Sequence, residues 1–427
     1  MEWFPFDQRK RYLTGIDWVI NAFNYQAKKT TGLGNISHLV FELNGKLEAQ
    51  NFCEKFGIFL NHYPLVGGRV RRDFNLCPYW RINRDKRVKF SFIRRALQNG
   101  EDALAAIFNF ADTPLNNNET LSFFLAQTAA KSFLTVKFSH CLFDAAGIEA
   151  FLSLFENFCA TQKITPIHPT LAPKLCGWRD KFKAGKTTNR FFLNLRKNIN
   201  PVTFAGECGH GFNFVPIFFN FYESKIIFER ALKQAGYLMF MPFALAQCLK
   251  GIDKITGRNG DYLVPVNVNL RAGASFENIF FNHLSFLFFR VSAQLIHHEE
   301  NLCLEIKQQF FNQVKEKISD QLAQAADLMR IAPLWVVARL LEKFMGGAAS
   351  ALAFSYLGES AYPQKSFCNQ PVINIFHLPI VPPQPGVGVF FTQYQGRLNV
   401  TVTAGKAKFN QHELCVVAES IRQALLA

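Results

Sequence analysis

Between Phe133 and Cys159 the apolar residues change their period, and that change dictates a local fold. Phe133-Leu134-Thr135-Val136-Lys137-Phe138-Ser139 alternates apolar and polar residues, the period of a half-buried strand. On that period His140 shares a face with Leu134, Val136 and Phe138. Beyond Gly147 the residues Ile148, Phe151, Leu152, Phe155 and Cys159 recur at helical spacing. The run predicts a core strand, a short loop carrying His140 and Asp144, and an amphipathic helix. A largely buried imidazole stays neutral near pH 7, because desolvation disfavours its charged form. A neutral imidazole can take a proton from a hydroxyl or an amine, which is general base catalysis. The same spacing also suits a buried histidine bonded to a nearby carboxylate for structural reasons, so the pair alone does not decide its role.

The chain has 427 residues, 49% of them hydrophobic, enough for one large or two medium domains. With 47 Phe the interior is expected to be phenylalanine-rich. The most apolar windows, Asn278 to Phe289 and Phe344 to Leu357, are short of the roughly 20 residues that span a bilayer. Met1-Glu2-Trp3-Phe4-Pro5-Phe6-Asp7 lacks a basic region followed by an apolar one. A cytoplasmic protein with reduced cysteines is therefore expected. The ten cysteines contain no Cys-x-x-Cys spacing, which gives neither a disulfide framework nor a zinc pattern. Cys208-Gly209-His210 is a lone pair, so no metal is expected.

Part of the net charge of +15 is clustered. Lys174, Arg179, Lys181, Lys183, Lys186, Arg190, Arg196 and Lys197 face one acid, Asp180. Such a run suits an anionic partner: coenzyme A phosphates, an acidic carrier protein or a membrane surface. A solvated connecting segment has the same composition. No nucleic-acid motif accompanies the charge, so nucleic acid is not an expected partner.

Strand and helix patterns alternate along the chain. Ser37 to Leu43 reads as a strand and Leu47 to Leu60 as a helix. Gly67 to Arg71 and Pro78 to Ile82 read as a turn with strands. Later come a helix over Pro242 to Gly251 and strands over Asp261 to Arg271 and Phe286 to Ser292. Leu302 to Phe344 is largely helical with a break near Pro333. Strands over Gly388 to Gln393 and Arg397 to Thr403 precede a helix over His412 to Leu426. Proline, glycine and the basic run mark a crossover. The expected division is an N-terminal lobe over 1–170, a crossover over 171–213 and a C-terminal lobe over 214–427.

Four segments, in order, carry a resemblance to the acyltransferase superfamily that includes chloramphenicol acetyltransferase. Its nearer branches are the plant-type alcohol acyltransferases, the wax-ester-synthase-like enzymes and peptide-synthetase condensation domains. His62-Tyr63-Pro64-Leu65-Val66-Gly67-Gly68-Arg69-Val70 resembles the early Tyr-Pro-Leu-x-x-Gly-Arg segment, and His140 to Gly147 the His-x-x-x-Asp-Gly motif. Pro265 to Arg271 with Phe281-Asn282-His283 resembles the strand ending in arginine and the Gly-Asn element that follows it. Phe354-Ser355-Tyr356-Leu357-Gly358 resembles the late Ser-x-x-Gly segment. The sequence departs from the family at three points. Ala145 stands for the usual glycine after the aspartate, Ser139 for the first histidine of condensation domains, and Phe281 for the glycine before Asn282. An Asp-Phe-Gly-Trp-Gly element of the plant branch is absent.

The resemblance implies a mixed α/β fold of two similar lobes in a V, with a tunnel between them. It implies that His140 is the general base and that Asp144 points away from substrate to pair with Arg271. Gly147, with Ala146, lets the helix start close to the strand end, and Arg69 is structural. Ser355 and Asn282 are candidate oxyanion donors, or alternatively a loop hydrogen bond and a turn residue. The donor implied is an acyl-CoA or a phosphopantetheine-linked thioester, on coenzyme A or an acidic acyl carrier protein. Arg179, Lys181, Lys183 and Lys186 are the candidate donor-binding residues. The acceptor is a hydroxyl or an amine, with no permanently bound cofactor. A monomer is expected, because two lobes already supply an interface, and association with a membrane surface is compatible with the charge. The alternative is a catalytically silent member of the fold that serves as a docking or binding module.

Overall fold

The alternating run becomes the centre of a sheet. In a computed structural model describing residues 9–83, 87–98, 101–167, 177–196, 210–257, 260–271, 278–345, 351–382 and 385–427, it is the strand Lys131–Ser139. Antiparallel neighbours lie on both sides, Ile36–Asn44 and Leu121–Gln127. Across the sheet the order is Ser366–Phe367, Gln370–Pro379, Ile36–Asn44, Lys131–Ser139, Leu121–Gln127, Ser91–Ala96. One face carries Leu39, Phe41, Leu43, Leu134, Val136 and Phe138, all buried. Helices Ala49–Asn61 and Ala145–Thr161 cover that face with Phe52, Phe56, Phe59, Phe151, Phe155 and Phe158. Edge-on rings such as Phe56 and Phe123, 4.8 Å apart, show where much of the phenylalanine goes.

A second sheet runs Leu284–Val291, Tyr262–Asn269, Ala353–Glu359, Val387–Tyr394, Arg397–Gly405, Phe212–Phe218. Ala353–Glu359 is parallel to its two neighbours, and the remaining pairs are antiparallel. Helices Phe221–Ala235, Phe240–Thr256 and Gln411–Leu426 pack on it around Phe243, Leu249, Val264, Phe289, Val400 and Leu414. The aromatic stretch from Phe212 divides at Asn220, whose side chain caps the helix from Phe221 in a reciprocal box with Glu223.

The sheets do not follow the chain division at residue 213. Gln370–Pro379, from the second half, pairs with Ile36–Asn44 of the first sheet. It holds to the second sheet through side chains: Asn399 Nδ2 donates to Ile375 O at 2.9 Å, and Thr401 Oγ1 to His377 O at 2.7 Å. One strand thus ladders into one lobe and is pinned to the other.

The expected crossover is not a plain linker where it is described. Trp178–Leu195 is a helix packed on Ile318–Ala326. Lys174 and Lys197, like Cys208 and Gly209, lie outside the described residues. Among the described residues no single helix is long and apolar enough to cross a membrane.

Candidate functional site

His140 follows the last residue of its strand, and its backbone is fixed on both sides. Its N–H donates to Asn35 O at 2.9 Å, and its carbonyl accepts from Asn282 Nδ2 at 2.8 Å. The ring is half-buried, and Nδ1 is buried with no hydrogen-bond partner among the described residues. Burial lowers the imidazole pKa below its usual 6.5; the Asp144 carboxylate opposes this without reversing it. The His377 ring adds a smaller push in the same downward direction.

Asp144 caps the helix that follows. One carboxylate oxygen, Oδ1, accepts from Gly147 N at 2.9 Å and from Arg271 Nη2 at 2.5 Å. Its other oxygen accepts from His283 N at 3.2 Å. Arg271 is held in turn by Asn278 O at 3.1 Å and Asn269 Oδ1 at 3.3 Å. The side chains of the pair are only 8% and 12% exposed, so each charge depends on the other. Ala145, where the resembled family has glycine, is the first helical residue and needs no special backbone conformation. Gly147 has a stricter reason: a Cβ there would lie 2.3 Å from Ile279 O. What approaches the helix start is the segment around Ile279, from the other half of the chain.

That segment is itself constrained. Phe281 N donates to Leu142 O at 2.5 Å, and Phe281 bridges to Phe143. Phe281 has φ 72°, in the left-handed region where glycine is easiest. This accounts for the glycine of the resembled family. Here the ring lies 3.7 Å under the Arg11 guanidinium and edge-on to Trp80 at 5.7 Å. Arg11 is paired with the buried Asp17 at 2.6 Å, and Asp17 Oδ1 accepts from Asn282 N at 3.3 Å. Burial raises the Asp17 pKa, but Arg11 and the hydrogen bonds from Thr14 together outweigh it and the net shift is downward. Arg11 and Asp17 were not singled out in the sequence; the signal was Thr14-x-x-Asp17, a capping box opening the helix Gly15–Thr31.

A buried imidazole–carboxylate pair joins the same helix, through Glu149, to His377 of the strand Gln370–Pro379. Glu149 Oε1 and His377 Nε2 are 2.6 Å apart, with side chains 5% and 3% exposed. The other Glu149 oxygen accepts from Ser360 Oγ at 2.9 Å and Ala361 N at 2.6 Å. Glu149 therefore anchors both the exchanged strand and the loop before it to the His140 helix.

The remaining predicted residues separate. Asn282 touches the His140 loop, but its amide nitrogen is engaged with the His140 carbonyl and positions that loop. Ser355 is buried on Ala353–Glu359 in the second sheet, and among the described residues no hydrogen bond joins it to His140. Arg179, Lys183 and Lys186 are exposed along the helix Trp178–Leu195. Lys181 does not belong with them. It is buried, with Nζ 5.2 Å from the centre of the Trp178 ring, because helical spacing turns it toward the underlying helix.

No family model and no curated protein sequence match the chain. Solved structures do, over nearly its whole length. A trichothecene 15-O-acetyltransferase from Fusarium sporotrichioides superposes with a TM-score of 0.70 at 12% identity, covering 98% of this chain and 95% of that one. The first condensation domain of the calcium-dependent antibiotic synthetase gives 0.73 at 13%, covering 98% and 96%. The starter condensation domain of rhizomide synthetase, in complex with C8-CoA and Leu-SNAC, gives 0.65 at 13%, covering 98% and 94%. The chain thus has the two-lobed α/β fold shared by this acetyltransferase and these condensation domains, as the sequence resemblance implied.

Replacing Asp144 with alanine strands the Arg271 guanidinium. The expected cost is about 3–5 kcal/mol of stability, the range for breaking a buried pair from one side. His140→Ala, which removes no ion pair, should cost less. Urea unfolding of both variants checks this; an Asp144→Ala protein that unfolds with the wild type contradicts a structural role for the pair.

Proposed function

We propose that the chain is an acyltransferase that moves an acyl group from a thioester to a hydroxyl or amine acceptor. The observation that carries this is His140. It is a neutral imidazole on a loop fixed at both ends, and the nearby carboxylate is bound to Arg271. In this reading the imidazole takes the proton from the acceptor O–H or N–H as that atom bonds to the thioester carbonyl carbon. The tetrahedral intermediate collapses, the C–S bond breaks, and the imidazolium returns the proton to the leaving thiolate. The acyl group goes from sulfur to the acceptor directly, with no covalent enzyme intermediate. A polar donor near the carbonyl oxygen is worth about 3 kcal/mol of barrier where such groups have been removed. Ser355 is the candidate that remains for this role, since Asn282 is engaged at the His140 carbonyl.

The thioester reading is supported by the starter condensation domain with C8-CoA, one of the similar structures. For the donor's anionic part we propose the exposed cations Arg179, Lys183 and Lys186, which recur on one side of a helix. Lys181 is excluded by its burial.

Folded His140→Ala should lose at least about a hundredfold in transfer rate, the lower range for a positioned base. Free-thiol release from a panel of acyl-CoA donors measures it. Turnover near wild type contradicts the mechanism, and no release by the wild type with any donor or acceptor favours a silent docking module.

Changing Arg179, Lys183 and Lys186 together to glutamine should raise KM for acyl-CoA and leave kcat unchanged. The difference should shrink with added salt, because exposed charges are screened within about 8 Å at physiological ionic strength. Saturation kinetics at low and high salt decide it; an unchanged KM at both places the donor elsewhere.

A further inference from the structure

We propose that Glu156, Cys159 and Cys368 form a binding site for a zinc-class divalent cation. Glu156 and Cys159 lie three residues apart on the His140 helix and so project from the same side. Cys368 comes from the turn between Ser366–Phe367 and the exchanged strand Gln370–Pro379. A carboxylate oxygen and the two Sγ atoms lie within 4.8 Å of one another. In a tetrahedral zinc site with Zn–S near 2.3 Å, ligand atoms sit about 3.8 Å apart. Closing this group onto an ion therefore contracts its edges by about 1 Å at most.

Three further features fit a cation. Cys368 and the following Asn369 have φ of 48° and 64°, the paired left-handed geometry of a tight hairpin turn. Asparagine, aspartate and glycine suit that geometry; a cysteine there is sterically worse, and its thiol is the property that sets it apart. Cys368 N donates to Glu156 Oε2 at 2.7 Å and Ser366 Oγ to Oε1 at 3.5 Å, which fixes the carboxylate while each oxygen keeps a lone pair for a ligand. Both cysteines are half-buried, so water can complete the fourth position. Binding displaces one proton from each thiol, and the two thiolates and the carboxylate then face the dication. The ion would lock the turn that leads the exchanged strand onto the histidine helix. The sequence did not suggest this, because Cys159 and Cys368 are far apart in the chain and form no close-spaced pair.

The test uses the full-length reduced protein, zinc sulfate and a chelator of known affinity, with bound metal counted by mass spectrometry. The wild type should hold one zinc per chain, and zinc should slow thiol modification at Cys159 and Cys368. Cys159→Ser and Cys368→Ser should each bind at least tenfold more weakly, while Cys415→Ser, on the final helix, should bind as the wild type does. Should the serine variants fail to fold, the map of protected thiols in the wild type decides alone. Zinc binding unchanged in both variants overturns the site, as does protection of other thiols. Air oxidation to a Cys159–Cys368 disulfide in the presence of zinc also overturns it, by assigning the pair to redox chemistry. None of these readouts depends on His140 or on transfer activity.

Discussion

The ion pair between Asp144 and Arg271 is the constraint on which the site depends. It joins the two halves of the chain where the histidine strand gives way to its helix. Neither charge is tolerable alone at 8% and 12% exposure, so the halves must meet in one register for either to be satisfied. The carboxylate also caps the helix, so the ion pair and the helix start share atoms. Gly147 then admits the Ile279 carbonyl, and Phe281 N reaches Leu142 O. The outcome is a histidine whose backbone is clamped and whose ring Nδ1 has no hydrogen-bond partner among the described residues.

The clamp would be weak if the halves could slide. The exchanged strand prevents this. Gln370–Pro379 contributes ladder hydrogen bonds to the first sheet and accepts side-chain bonds from Asn399 and Thr401 of the second. Glu149, one turn beyond the helix start, takes both His377 of that strand and the loop before it. The His140 helix is thus held by an aspartate at its cap and a glutamate further along, each satisfied by residues distant in sequence.

Local features were legible in the sequence and tertiary ones were not. The strand, loop and helix around His140 follow from period alone, and Arg271 could be matched to Asp144 because the motif supplied both. The origin of the glycine before Asn282 in the resembled family was hidden, because φ at 281 is fixed by the ladder to Phe143. Its replacement by phenylalanine needs Arg11 and Trp80, which are far away in the chain. The strand exchange has no local signature, since Gln370–Pro379 reads as any buried strand. Lys181 was grouped with its exposed neighbours because a charge count ignores which side of a helix a residue takes. Cys159 and Cys368 meet only once the exchange has formed.

The central claim is that the fold holds His140 neutral and ready to accept a proton near pH 7. An NMR titration of histidine-labelled protein, with the His140 signal assigned by its loss in His140→Ala, reads this directly. The account predicts a midpoint below 6.5, because burial outweighs the Asp144 carboxylate. A midpoint above 6.5 contradicts it, since the carboxylate would then outweigh burial and raise the charged share of the ring near pH 7.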